Sequence, residues 1–134
     1  MEESNSISHI LIIDDDPDDS EIFKDVLYEL DSRILLTTLY HCYDIITVLN
    51  KLESVPDILF IDVHLPGEDG LKCIETIKAT PKYSTLKIVI YCGVLSQHMI
   101  DKALEKGADS YFLKPTTIGE LHGLLKKILN LQPL

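Results

Sequence analysis

Five short apolar or β-branched runs, each followed by helical periodicity, constrain the fold of this chain more than any other feature. The runs are Ile10 to Ile13, Ile34 to Tyr40, Ile58 to Ile61, Lys87 to Tyr91 and Ser110 to Leu113. Ile58-Leu59-Phe60-Ile61 is apolar throughout and bounded by Pro56-Asp57 and Pro66-Gly67, the pattern of a parallel strand buried on both faces. Behind the start signal Asp16-Pro17, residues Ile22, Phe23, Val26, Leu27 and Leu30 predict a helix over about 17–31. Ile45, Ile46, Leu49 and Leu52 mark a second helix, stopped by Pro56, and Leu71, Ile74, Ile77 and Lys78 mark a third, ending near Pro81. Ser96 caps a fourth with Met99, Ile100, Ala103 and Leu104, closed by Gly107. Thr117-Ile118-Gly119-Glu120 has the form of a capping box opening a fifth, with Leu121, Leu124, Leu125 and Ile128. This strict alternation argues for an α/β protein: a doubly wound parallel sheet with helices on both faces.

At 134 residues the chain suits one domain with one sizeable core, and 46% hydrophobic with 25% charged residues is an ordinary globular balance. No apolar stretch is long enough to cross a membrane. The net charge is −10, Arg33 is the only arginine, and only Lys126-Lys127 are adjacent lysines. Nucleic acid and anionic membrane are therefore not expected as direct partners, because both need concentrated basic surface. Cys42, Cys73 and Cys92 are odd in number and lack metal-type spacing, and the polar start Met1 to Ser6 is not a signal sequence. A cytoplasmic protein with reduced thiols is expected.

Parallel strands deliver the residues after their carboxyl ends to one edge, where open α/β sheets place ligands. Here those residues are Asp14 and Asp15, Asp62, Cys92 with Gly93, and Lys114-Pro115. Asp62 alone reads equally well as a loop cap. Asp14, Asp15 and Asp62 together crowd negative charge in a way that calls for a cation, and Mg²⁺ takes one or two carboxylates, waters and phosphate oxygens. A carboxylate can also act as a nucleophile and form an aspartyl-phosphate. Lys114 would then supply a positive point charge for the incoming phosphoryl group.

Three motifs carry a resemblance: Ile10-Leu11-Ile12-Ile13-Asp14-Asp15-Asp16, the segment from Asp57 through Asp62 to Gly70, and Gly107-Ala108 through Tyr111 to Lys114-Pro115. In that order and spacing the chain resembles the receiver domain of two-component response regulators, with residues 8–130 as the receiver between tails 1–7 and 131–134. The resemblance implies a flavodoxin-like (βα)5 sheet of strand order 2-1-3-4-5. It implies that Asp62 accepts phosphate from a histidine kinase or a histidine phosphotransfer protein. Asp15 would bind Mg²⁺ directly, Asp14 largely through water, and Asp62 and the main-chain carbonyl of His64 would complete the protein ligands. Lys114 would pair with the phosphoryl group, the bond to Pro115 would be cis, and Tyr111 would move between outward and inward positions. With no further domain expected, the output would pass to another protein through the fourth strand, fourth helix and fifth strand.

Cys92 departs from the pattern, since the family has Ser or Thr there and a thiol is a weaker donor. Cys92 otherwise reads as a small buried hydrophobe. Asp18 and Asp19 read as a solvated helix start that complements the dipole. The His64 side chain is expected at the rim of the site. Two rivals remain. A phosphorylation-independent docking module is favoured by Cys92 and opposed by the complete Asp14, Asp15, Asp62 and Lys114 set. An aspartyl-nucleophile phosphatase of the haloacid-dehalogenase kind would need an acid where His64 stands, so the chain is not expected to be an enzyme.

Overall fold

All five predicted strands and all five helices form, and the computed structural model describes residues 7–65, 67 and 69–130. The strands are β1 His9–Ile13, β2 Leu35–Leu39, β3 Ile58–Ile61, β4 Lys87–Cys92 and β5 Ser110–Leu113. The helices are α1 Pro17–Leu30, α2 Ile45–Lys51, α3 Gly70–Ala79, α4 Gln97–Lys106 and α5 Ile118–Asn130, with a 3-10 turn over Pro81–Tyr83. The strands pair in parallel in the order β2-β1-β3-β4-β5, with Ile13 opposite Ile61, Ile61 opposite Ile90 and Cys92 opposite Leu113. This is the flavodoxin-like α/β fold. No described helix is long and apolar enough to cross a membrane.

Side chains alternate along each strand, so β1 supplies two cores. Leu11 and Ile13 join Leu59, Ile61, Ile88 and Ile90 under α2, α3 and α4. Ile10 and Ile12 join Phe60, Val89 and Tyr91 under Phe23 and Leu27 of α1 and Leu121 and Leu125 of α5. Ile7, assigned to the amino-terminal tail by sequence, is buried in this second core. The rest of that tail, residues 1–6, and the tail 131–134 lie outside the described residues, as does Pro66.

The helix ends follow their capping chemistry. Asp16 accepts from the amides of Asp18 and Asp19, and Pro17 occupies the first turn. Asp69 caps α3 and Ser96 caps α4, while Gly107 closes α4 at φ 119°. Gly70 is obligatory for packing, since a Cβ there would stand 2.5 Å from the Val63 Cα. The capping box of α5 is shifted. Thr117 Oγ1 accepts from the Glu120 amide at 3.1 Å, but the Glu120 carboxylate accepts from the amide and hydroxyl of Thr116. Glu120 thereby satisfies a loop amide directly after Pro115.

Candidate functional site

The ladder continues one residue past three strands and locks the site residues in place. Asp14 N–H donates to Leu39 O at 3.0 Å, Asp62 N–H to Ile13 O at 2.9 Å, and Lys114 N–H to Cys92 O at 2.7 Å. Asp14 and Asp62 are accordingly 1% and 7% exposed. Asp14, Asp15 and Asp62 each bring one oxygen within 4.8 Å of the others. The three oxygens lie close enough together to be candidate ligands of one cation.

Lys114 Nζ sits at the centre of this edge. It lies 2.7 Å from Asp14 Oδ2, 2.9 Å from Asp19 Oδ2 and 3.1 Å from Asp62 Oδ2. Burial alone would lower its pKa, but the carboxylates of Asp14, Asp19 and Asp62 outweigh that and raise it. The ammonium therefore stays charged. Burial pushes the Asp14 carboxyl up, against the opposing pull of Lys114. Asp14 Oδ1 accepts from the Asp16 amide, whereas the buried Oδ2 makes no directional hydrogen bond. Its contact with Lys114 is an ion pair at an unfavourable angle, a Coulombic interaction that leaves lone-pair capacity unused. An all-oxygen set with an orphaned carboxylate oxygen suits a hard divalent cation.

Asp62 is held from three sides. Its Oδ1 accepts from the His64 amide at 2.8 Å and from the Cys92 thiol at 3.3 Å, and its Oδ2 accepts from Lys114. The fully buried Cys92 sulfur in turn accepts from the Val63 amide at 3.3 Å. Burial pushes the Cys92 thiol up to about 12, with the Val63 amide opposing and Asp62 reinforcing the shift, so sulfur keeps its proton and donates it. The His64 ring crosses the rim, its Nε2 3.0 Å from Val94 O. A carbonyl only accepts, so Nε2 carries the proton.

Sequence reasoning brought Asp14, Asp15, Asp62, Cys92 and Lys114 to one edge, and the structure gathers all five there. Tyr111 is 45% exposed on the edge strand, in the outward position. It lines a groove of about 300 Å³ with Leu95, Ile100, Phe112 and Leu113. The expected cis bond is a correction: no described peptide bond is cis, so Lys114–Pro115 is trans. Trans is the intrinsically preferred isomer by about 0.5–1 kcal/mol, and Lys114 reaches its carboxylates in that geometry.

Two residues were missed. Asp19, read as a solvated helix start, reaches Lys114 because helical side chains lean toward the amino end, here over the end of β1. Pro17 at the first helical position was the available signal. Tyr91 lies beneath the ammonium, 6.0 Å from ring centroid to Nζ, and packs edge-on against Phe23 and Phe60. Nothing in its sequence position distinguished it from core.

The strand order and the two helical layers are those of the flavodoxin-like α/β class, here with a cluster of carboxylates beside a lysine at the carboxyl edge of the sheet. Within it, the chain belongs to the response regulator receiver domain family, whose model matches residues 10–126. An uncharacterised 14.6 kDa protein of Leptolyngbya boryana is 27% identical over 118 residues, covering 88% of this chain and 87% of that protein. Sporulation initiation phosphotransferase F of Bacillus subtilis is 28% identical over 109 residues, covering 75% and 86%. The chain spans only 50% and 17% of the length of other curated relatives. The phosphorylated cyanobacterial phytochrome response regulator RcpA shares the fold, with a TM-score of 0.82 at 19% identity over 92% of this chain and 91% of that one.

Proposed function

We propose that residues 8–130 form a receiver that takes a phosphoryl group on Asp62 in a Mg²⁺-dependent reaction and passes the signal to another protein. The observation that carries this reading is the Asp62 carboxylate itself. It is buried, 3.1 Å from Lys114 Nζ, and within 4.8 Å of oxygens of Asp14 and Asp15. Asp15, Asp14, Asp62 and the His64 carbonyl are the groups that would hold Mg²⁺. When bound, the ion would neutralise charge on the transferring phosphoryl oxygens.

The chain's own residues do the rest. A carboxylate oxygen of Asp62 forms the new bond to phosphorus as the P–N bond of a phosphohistidine breaks, and the electron pair leaves on the donor imidazole. A histidine kinase or histidine phosphotransfer protein is the donor class, in keeping with the phosphotransferase named among the relatives. The three donors converging on Asp62, from His64 N–H, Cys92 S–H and Lys114 N–H, stand ready to pass to phosphoryl oxygens. Asp62 thereby acts as a stoichiometric acceptor rather than a turnover catalyst. The position at which dehalogenase-like phosphatases carry an acid is His64, whose ring is tied to Val94 O.

Adding close to two negative charges at Asp62 is the local switching event. The output surface is the face of β4, α4 and β5, where exposed Tyr111 and Leu113 line a groove with Leu95, Ile100 and Phe112 that suits a protein partner. A cytoplasmic setting agrees with the unpaired thiols of Cys73 and Cys92.

Intact-mass analysis after incubation with Mg²⁺ and acetyl phosphate tests this. Wild type gains one phosphate and Asp62→Asn gains none. No uptake by wild type, or equal uptake by Asp62→Asn, overturns the assignment.

A further inference from the structure

We propose that Asp19 is a positioning residue for Lys114, drawing the ammonium toward α1 so that the site favours a divalent cation at the expense of an incoming phosphoryl anion. This rests on the receiver reading and adds a determinant to it.

An ammonium has three N–H donors. Lys114 meets three carboxylates at 2.7, 2.9 and 3.1 Å, and two of them, Asp19 and Asp62, accept its hydrogen bonds before any phosphoryl group arrives. The three partners are not equivalent. Asp14 and Asp62 belong to the trio of clustered oxygens that could hold one cation, whereas Asp19 does not. The Asp14 contact lacks hydrogen-bond direction, which leaves Asp19 with the shorter of the two true hydrogen bonds to Nζ.

Asp19 is not a loose surface pair. Its partner, the Lys114 side chain, is 16% exposed, and Asp19 is 39% exposed at the side of a cavity it lines with Lys114, Tyr91 and Pro115. The hydrogen bond connects the first turn of α1 to the residue following β5, so its geometry is set by the docking of α1 rather than by local sequence.

The electrostatic consequence has a sign. Asp19 adds a fourth negative charge near the cation position of Asp14, Asp15 and Asp62, which strengthens cation binding. The same charge offsets that of Lys114, which weakens the attraction for a phosphoryl dianion. One added or removed charge near a protein surface changes such an equilibrium by about three- to tenfold. A group that merely held the fold together would move both in the same direction.

The experiment compares wild type, Asp19→Asn, Asp19→Glu and Asp18→Asn. Asp18 sits in the same turn and contributes its amide to the Asp16 cap, so its substitution makes the same formal charge change away from Lys114. Calorimetric titration reads Mg²⁺ affinity without phosphodonor. Intact mass reads the phosphorylated fraction at saturating Mg²⁺ and limiting acetyl phosphate. Asp19→Asn is expected to bind Mg²⁺ about three- to tenfold more weakly and to show a higher phosphorylated fraction. Asp19→Glu keeps both values near wild type, and Asp18→Asn moves neither by more than about twofold. A joint fall of both in Asp19→Asn, no change in either, or an equal effect of Asp18→Asn overturns the proposal. A wild type that takes no phosphate removes the receiver reading and this proposal with it; a wild type that does, beside an unaltered Asp19→Asn, removes only this proposal.

Discussion

At the amino end of the sheet, the Asp57 carboxylate accepts from the Ser8 amide, the His9 amide and the Ser8 hydroxyl at 2.8, 3.0 and 3.2 Å. The buried His9 ring lies between Ser54 Oγ at 2.9 Å and Thr37 Oγ1 at 2.8 Å. At the carboxyl end of the same strands, three carboxylates crowd one ammonium, and Asp14 Oδ2 is left without a hydrogen bond. The first arrangement satisfies its polar groups and ties β1 to β2 and to the start of β3. The second leaves capacity unused at the place where a cation and a phosphoryl group would supply it. One end satisfies its polar groups and the other does not, the pattern expected where a functional site departs from a local optimum.

The largest test of this contrast is metal addition. Mg²⁺ at about a hundred times its dissociation constant should stabilise wild type by about 2.7 kcal/mol, read as a rise in melting temperature. Asp15→Asn should lose most of that rise, and a full rise in the variant would remove Asp15 from the cation site. Next in size, Asp57→Ala should lower stability by about 2 kcal/mol in urea denaturation, since it removes a charged acceptor from three donors. In the presence of a chelator, Asp14→Asn should instead raise stability by on the order of 1 kcal/mol, because it relieves a buried charge and keeps the acceptor for the Asp16 amide. Equal losses in Asp57→Ala and Asp14→Asn would erase the distinction between the two ends.

Cys92→Thr should sharpen the carboxyl end. A hydroxyl donates more strongly than a thiol, so the phosphate-dependent shift of Tyr111 should grow several-fold, a difference of about 1 kcal/mol. The Tyr111 ring resonances of the two proteins, with and without phosphodonor, measure it. Equal shifts would show that sulfur serves as well as oxygen.

The smallest effects are those of pH, and they have opposite signs at the two ends. Burial outweighs the Asp57 charge and lowers the His9 pKa below 6.5. As pH falls through 6.5, the unfolded chain takes a proton that the folded chain does not, and stability declines until the folded value is passed. His9→Gln should remove that decline. Asp14 is raised above 3.8 in the fold, so without metal the folded chain takes up a proton at higher pH than the unfolded chain does on acidification. Stability gained from Asp14 therefore appears as pH falls through its folded value and is complete at 3.8. Asp14→Asn should abolish the gain. Melting temperatures across the two windows separate the contributions.

Much of this was legible in the residues. The uninterrupted run Ile58 to Ile61 announced a doubly buried strand, and Asp62 followed at its carboxyl end. Asp16-Pro17, Ser96 and Gly107 each end or begin a helix where their chemistry says they should. The α5 cap was legible only in part, because whether Glu120 turns to Thr117 or Thr116 depends on the path of the chain after Pro115. The His64 to Val94 bond joins two loops whose approach depends on the pairing of β3 with β4. The Lys114–Pro115 bond takes the intrinsically preferred trans isomer, where the resemblance implied cis.

The sequence by itself determined which elements form and which residues reach the carboxyl edge, because strand and helix periods are local and parallel connections leave one place for strand ends. Only the tertiary structure decided the pairing there. Lys114 meets Asp14, Asp19 and Asp62 because α1 docks beside α5 over β3 and β4, and a contact between residues so far apart in the chain depends on packing across the whole sheet. Ion pairs and hydrogen bonds change over fractions of an ångström, a scale on which residue spacing carries no information.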